Sequence, residues 1–147
     1  MGYSRIVVGV DGSAGSIEAL RRAVELAEKF SSEVEALCVW SFPTAYAPLP
    51  VAWHPDHDAE QTLKLVGDTV FGPVWPSWFT GTVLEGSAAH LLIAASAAAD
   101  LIVVGSRGHG GFAGLLLGSV SAQCAEHACC PVLVVHENTG QVEEQTR

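Results

Sequence analysis

Three glycines and a serine pose the first chemical question of this sequence. Gly105, Gly108 and Gly118 lie in the stretch GSRGHGGFAGLLLGSV, residues 105–120, and Ser119 follows the last of them. Glycine lets a backbone approach a ligand closely and turn its amides toward it, which is how phosphate is cradled. Arg107 and His109 are the side chains of the stretch able to neutralise an anion, and it holds no lysine or acid. The apolar run DLIVVG, residues 100–105, ends on the first glycine, and Gly118-Ser119 opens a segment of helical spacing. The first N–H groups of a helix add unsatisfied donors and the positive end of its dipole. Ser119 and Ser121 can add hydroxyl hydrogen bonds.

Two other phosphate patterns fit worse. A P-loop requires Gly-x4-Gly-Lys-Ser/Thr, whereas Gly105-x4-Gly110 is followed by Gly111-Phe112. The dinucleotide fingerprint requires Gly-x-Gly-x2-Gly after the first strand, where this chain has Gly9-x2-Gly12-x2-Gly15. NAD is therefore not expected. Asp11, closing the first apolar run, suits either a hydrogen bond from a ribose or base, or a turn and cap role.

Metal and nucleophile chemistry find little support. Cys124, His127, Cys129 and Cys130 have zinc-ligand types but lack a second Cys-x2-Cys half, and His54, His57 and Asp58 sit in a polar loop. Apolar cysteines at a helix–strand junction are read as core. No Gly-x-Ser-x-Gly elbow occurs, so no catalytic residue is assigned and no metal-binding residue either. Trp40, Trp53, Trp75 and Trp78 flank loops and suit either packing or a lid over a base.

These residues need elements to hold them. RIVVGV (5–10), VEALCVW (34–40), FTGTVLE (79–85), DLIVVG (100–105) and PVLVVH (131–136) read as strands. A helix capped by Ser13 follows the first strand. A second, short helix begins near Asp58 and Gln61, a third runs from Ser87 to about Ala98, and a fourth from Ser119 to His127. The proline-rich stretch 41–55 and GPVWPSW (72–78) read as loops. Five strands alternating with four helices call for a single-domain α/β fold, an open parallel sheet with helices on both faces. Ligands of such sheets bind beyond the carboxyl ends of the strands. The domain is expected over residues 1–137, with a polar tail at 138–147.

Composition limits the partners. A net charge of −9 argues against nucleic acid and anionic membrane. The apolar run near the N-terminus is too short for a secretory signal, and the four cysteines lack a disulfide framework, so a cytoplasmic location is expected.

VVGVDGS near the start, LIVVGSRGHGGFAGLLLGSVS, and CPVLVV near the end together resemble the universal stress protein family, in its ATP-binding branch within the adenine nucleotide α-hydrolase-like superfamily. The resemblance spans nearly the whole chain. It implies a Rossmann-like sheet in strand order 3-2-1-4-5, a homodimer, and ATP held with a divalent ion such as Mg. Asp11 would then hold the adenosine end, and Val39 would contact adenine through its backbone between Gly9 and Val104. Gly105, Gly108, Gly118 and Ser119 would hold ribose and phosphates, helped by Val120 and Ser121. In that order the fifth strand lies at a sheet edge, which pairing with a second copy would satisfy. The expected function is a stress-response or regulatory module with slow or no ATP hydrolysis. The alternatives are a hydrolase or transferase of the same superfamily, a cyclic-AMP-binding regulator, or a ligand-free dimeric scaffold. The enzyme alternative lacks a Ser-Gly-Gly-x-Asp-Ser or His-x-Gly-His motif.

Overall fold

The computed structural model describes residues 2–42, 54–108 and 117–137. Its elements are β1 (Arg5–Gly9), α1 (Ala14–Phe30), β2 (Glu33–Trp40), α2 (Pro55–Phe71), β3 (Phe79–Glu85), α3 (Ala88–Ala95), β4 (Leu101–Gly105), α4 (Ser119–His127) and β5 (Val132–Val135). The strands form one sheet in the order β3-β2-β1-β4-β5, and every pairing is parallel. Ile6, Val7 and Val8 of β1 and Ile102 and Val103 of β4 are fully buried, as central strands covered on both faces must be. Alternate residues of each strand divide between two cores. Ile6, Val8, Val34, Ala36 and Val103 meet α1 and α2, while Val7, Leu37, Ile102 and Val104 meet α3 and α4.

Helix α1 docks on β4 with little space between the two. A Cβ on Gly105 would sit 2.9 Å from the backbone carbonyl of Gly15, and one on Gly15 would lie 3.1 Å from the Arg107 carbonyl oxygen. Glycine at both positions lets the helix start and the strand end touch backbone to backbone. This contact fixes the start of α1, and with it the loop after β1, against the loop after β4.

Two boundaries correct the sequence reading. Helix α2 is not short: it runs 17 residues from Pro55, with His54 at the N-cap and Asp58 already inside the first turn. Proline is favourable at a first helical position, and Asp56 and Asp58 complement the positive end of the dipole. Helix α3 ends at Ala95 and not near Ala98. Beyond it, Ala97 and Ala98 donate to Ala94 and Ala95, three residues back, in tightened turns. Ser13 and Ser87 do cap α1 and α3, accepting from the backbone N–H of Ser16 and His90.

The tryptophans pack. Trp75 covers Gly67 of α2, donates its indole N–H to Asp68 at 3.0 Å, and meets Phe79 edge-on. Trp78 meets Phe71 edge-to-face, and Trp40 meets Phe42 in the same way. Trp53 lies outside the described residues, as do the rest of the stretch 43–52 and the tail 138–147.

Candidate nucleotide site

The carboxyl end of β1 runs into a polar knot. The Ser13 N–H and hydroxyl both donate to Asp11 Oδ1, at 2.9 and 2.5 Å. The Ser16 hydroxyl donates to the Ser13 carbonyl at 3.0 Å and accepts from the Asp11 N–H at 3.2 Å. Gly12 supplies the positive φ, 85°, that the turn requires. With Oδ1 held this way, Asp11 Oδ2 faces the glycine loop, 2.6 Å from where a Cβ on Gly108 would be.

A second knot closes the chain excursion between Arg107 and Gly118. Gly118 N–H donates to the Ser106 carbonyl at 2.6 Å, and the Ser121 hydroxyl donates to the same oxygen at 2.8 Å. Ser121 is 2% exposed, and its hydroxyl is shared between the carbonyls of Ser106 and Gly118, at 2.8 and 3.2 Å. Its side chain therefore holds the loop, whereas the sequence reading gave that hydroxyl to a phosphate. The knot places Gly118 against the backbone of Arg107 and Gly108, so the Gly105–Gly108 and Gly118–Ser119 segments are brought together. Helix α4 starts at this junction with no side chain capping its first turn, and Ser119 is exposed there.

Between the knots lies a cavity of about 500 Å³. Leu37 and Val39 from β2, Ala88 and Leu92 from α3, and Val104 from β4 supply apolar surface. The missing side chain of Gly9 lets α3 pack closely there, since a Cβ would come within 2.8 Å of a Leu92 methyl. Asp11, Ser13, Ser16, Arg107 and the glycine loop line the rest. Gly105, Gly108, Gly118, Ser119, Val120 and Ser121 all line this cavity. His109 lies outside the described residues.

The family model of the universal stress protein family matches residues 2–136. The chain belongs to this family. A universal stress protein of Methanocaldococcus jannaschii is 34% identical over 141 residues, spanning 90% of this chain and 82% of its own. One of Mycolicibacterium smegmatis is 33% identical over 135 residues, spanning 88% of this chain but only 45% of its own. The chain thus spans less than half the length of that relative. Among solved structures, a universal stress protein in complex with cAMP superposes with a TM-score of 0.71 at 26% identity, covering 94% of this chain and 100% of its own. An Archaeoglobus fulgidus universal stress protein in complex with dAMP shares the fold, with a TM-score of 0.63 at 22% identity, covering 92% and 99%.

Five lining residues were not singled out in the sequence, namely Val10, Ser16, Leu37, Ala88 and Leu92, and Ser13 was read only as a helix cap. Leu37 was recoverable, because it shares a strand face with Val39 two residues on. Ala88 and Leu92 reach the cavity only through the placement of α3 over the sheet, which no local pattern encodes. Among the described residues no group of three or more metal-ligating side chains exists, and Cys124 is fully buried in the core. No described helix is long and apolar enough to cross a membrane.

Proposed function

We propose that this universal stress protein is a regulatory module that holds an adenine nucleotide, ATP foremost, in the cavity above β1 and β4. One observation carries the reading: a single cavity combines apolar surface from β2 and α3 with a glycine-lined end at an uncapped helix N-terminus. Apolar surface suits a purine, and oriented amides at a helix start suit phosphate. The relative at 26% identity solved with cAMP supports the same base-and-phosphate chemistry and makes cyclic AMP the second reading.

The divalent ion that the resemblance implies would be held through the phosphates themselves, because Asp11, the one acidic side chain of the described lining, is assigned to the adenosine end. Such an ion, when bound, supplies neutralisation of phosphate charge. The described lining has no His, Lys or Cys, and Asp11 Oδ1 already accepts two hydrogen bonds from Ser13. The nucleotide is accordingly held as a signal, with hydrolysis slow or absent. The reading includes a cytoplasmic location, consistent with four free cysteines, and a homodimer through the outer edge of β5.

Calorimetry with ATP, AMP, cyclic AMP and adenosine tests the site on the wild-type chain and on Ser119→Asp. A Cβ on Gly118 would lie 3.3 Å from Arg107 Cα, so a substitution there disturbs the loop itself. Ser119 is exposed, and a carboxylate at a helix start favours the helix while repelling phosphate. The expected result is at least about tenfold weaker ATP binding, roughly 1.4 kcal/mol, with adenosine affinity unchanged and the melting temperature not lowered. Equal ATP affinity in the two proteins would overturn the phosphate assignment.

A further inference from the structure

At the far end of α4 from the nucleotide cavity, the turn into β5 carries two adjacent cysteines, Cys129 and Cys130. A helix of this length separates them from Ser119 by about 13 Å along its axis. Cys129 is exposed and Cys130 half-buried, whereas Cys38 and Cys124 are 4% and 0% exposed. The turn is anchored on both sides. Cys129 N–H donates to the buried Ser96 hydroxyl at 2.8 Å, and the Pro131 carbonyl accepts from Ile102 N–H of β4 at 3.0 Å. Cys130 also packs on the core beneath α3 and α4. Both thiols are therefore presented from a fixed backbone.

Their spacing selects the chemistry. No described peptide bond is cis, so consecutive Cα atoms lie about 3.8 Å apart. An unstrained disulfide needs roughly 4.4–6.8 Å between Cα atoms, so direct sulfur–sulfur closure would distort the anchored turn. A third atom bridging the two sulfurs relieves that mismatch.

We propose that Cys129 and Cys130 form a two-thiol site for a trivalent, thiophilic metalloid compound of the arsonous type, R–As(OH)₂. Two S–H and two As–O bonds break; two As–S bonds and two waters form, and arsenic stays trivalent throughout. Burial holds the Cys130 thiol above its ordinary range, which disfavours alkylation of its thiolate. Condensation remains open to it, because the thiol proton leaves with hydroxide as water. This site is independent of the nucleotide reading.

The test treats the full chain with phenylarsine oxide, challenges it with excess glutathione, and reads intact mass and remaining free thiols. A one-sulfur adduct exchanges with glutathione, whereas a two-sulfur chelate resists it. One retained adduct per wild-type chain, with loss of two titratable thiols mapping to Cys129 and Cys130, is expected. Cys129→Ser and Cys130→Ala should each lose the retained adduct. Cys129 is exposed, so Cys129→Ser decides the matter if Cys130→Ala fails to fold. A wild-type adduct stripped by glutathione, or one that persists in Cys129→Ser, would overturn the proposal.

Discussion

Cys38 shows how far the charge of Asp11 reaches. Burial first, and then the Asp11 carboxylate, push its thiol up to about 11. The sign follows from linkage. A group whose pKa is raised on folding adds stability that is complete below the unfolded value and is lost as pH rises through the folded one. Between pH 9 and 11 the unfolded chain gives up this proton while the folded chain keeps it, so stability falls. Urea unfolding should show a decline of up to about 2–3 kcal/mol over that window. The decline should be shallower in Cys38→Ala, where the buried thiols of Cys124 and Cys130, also raised, still contribute, and matching slopes for the two proteins would contradict the assignment. Other residues were legible in type but not in role. Gly105 reads in the sequence as a phosphate cradle, yet its missing side chain also admits the backbone of Gly15. Spacing along one segment cannot report a contact with another.

Helix α2 inverts an ordinary propensity rule. Glycine inside a helix costs about 1 kcal/mol relative to alanine, so Gly67→Ala should stabilise by propensity alone. Here a Cβ would fall 2.3 Å from the Trp75 ring, which is held by Asp68 and by Phe79. The expected outcome of Gly67→Ala is therefore a loss of about 1–3 kcal/mol, read by thermal or urea unfolding, and a gain would refute this account. The same element marks where local reading failed. Asp58-x2-Gln61 looks like a cap, but Pro55 starts the helix a turn earlier, because a proline among other prolines reads first as loop. The strands were legible because they are short, β-branched and bounded by turns, and FTGTVLE matches β3 residue for residue.

Across the whole molecule the sheet order follows from alternation plus the family resemblance, whereas the position of α3 over the cavity depends on packing that emerges only in three dimensions. The order leaves β5 at one edge. Ile102 and Ser106 donate to the Pro131 and Val135 carbonyls, so the residues between them alternate. Val132 and Val134 thus turn their N–H and C=O groups outward, away from β4. Proline at such a position removes no bond to β4. If the proposed dimer pairs these edges, Val134→Pro should give a folded chain of monomer mass by light scattering, with unchanged circular dichroism. An unchanged dimer mass would place the interface elsewhere.

Ser106 joins these two regions. Its N–H donates to the Val135 carbonyl of the edge strand, while its own carbonyl receives Gly118 and Ser121 of the glycine loop. A displacement of the loop is thereby felt by β5 through one peptide unit on either side of a single Cα. If the cavity holds the proposed nucleotide and the edge the proposed second copy, occupancy and association are linked equilibria. Whatever factor a second copy adds to nucleotide affinity, nucleotide must return to the affinity between copies.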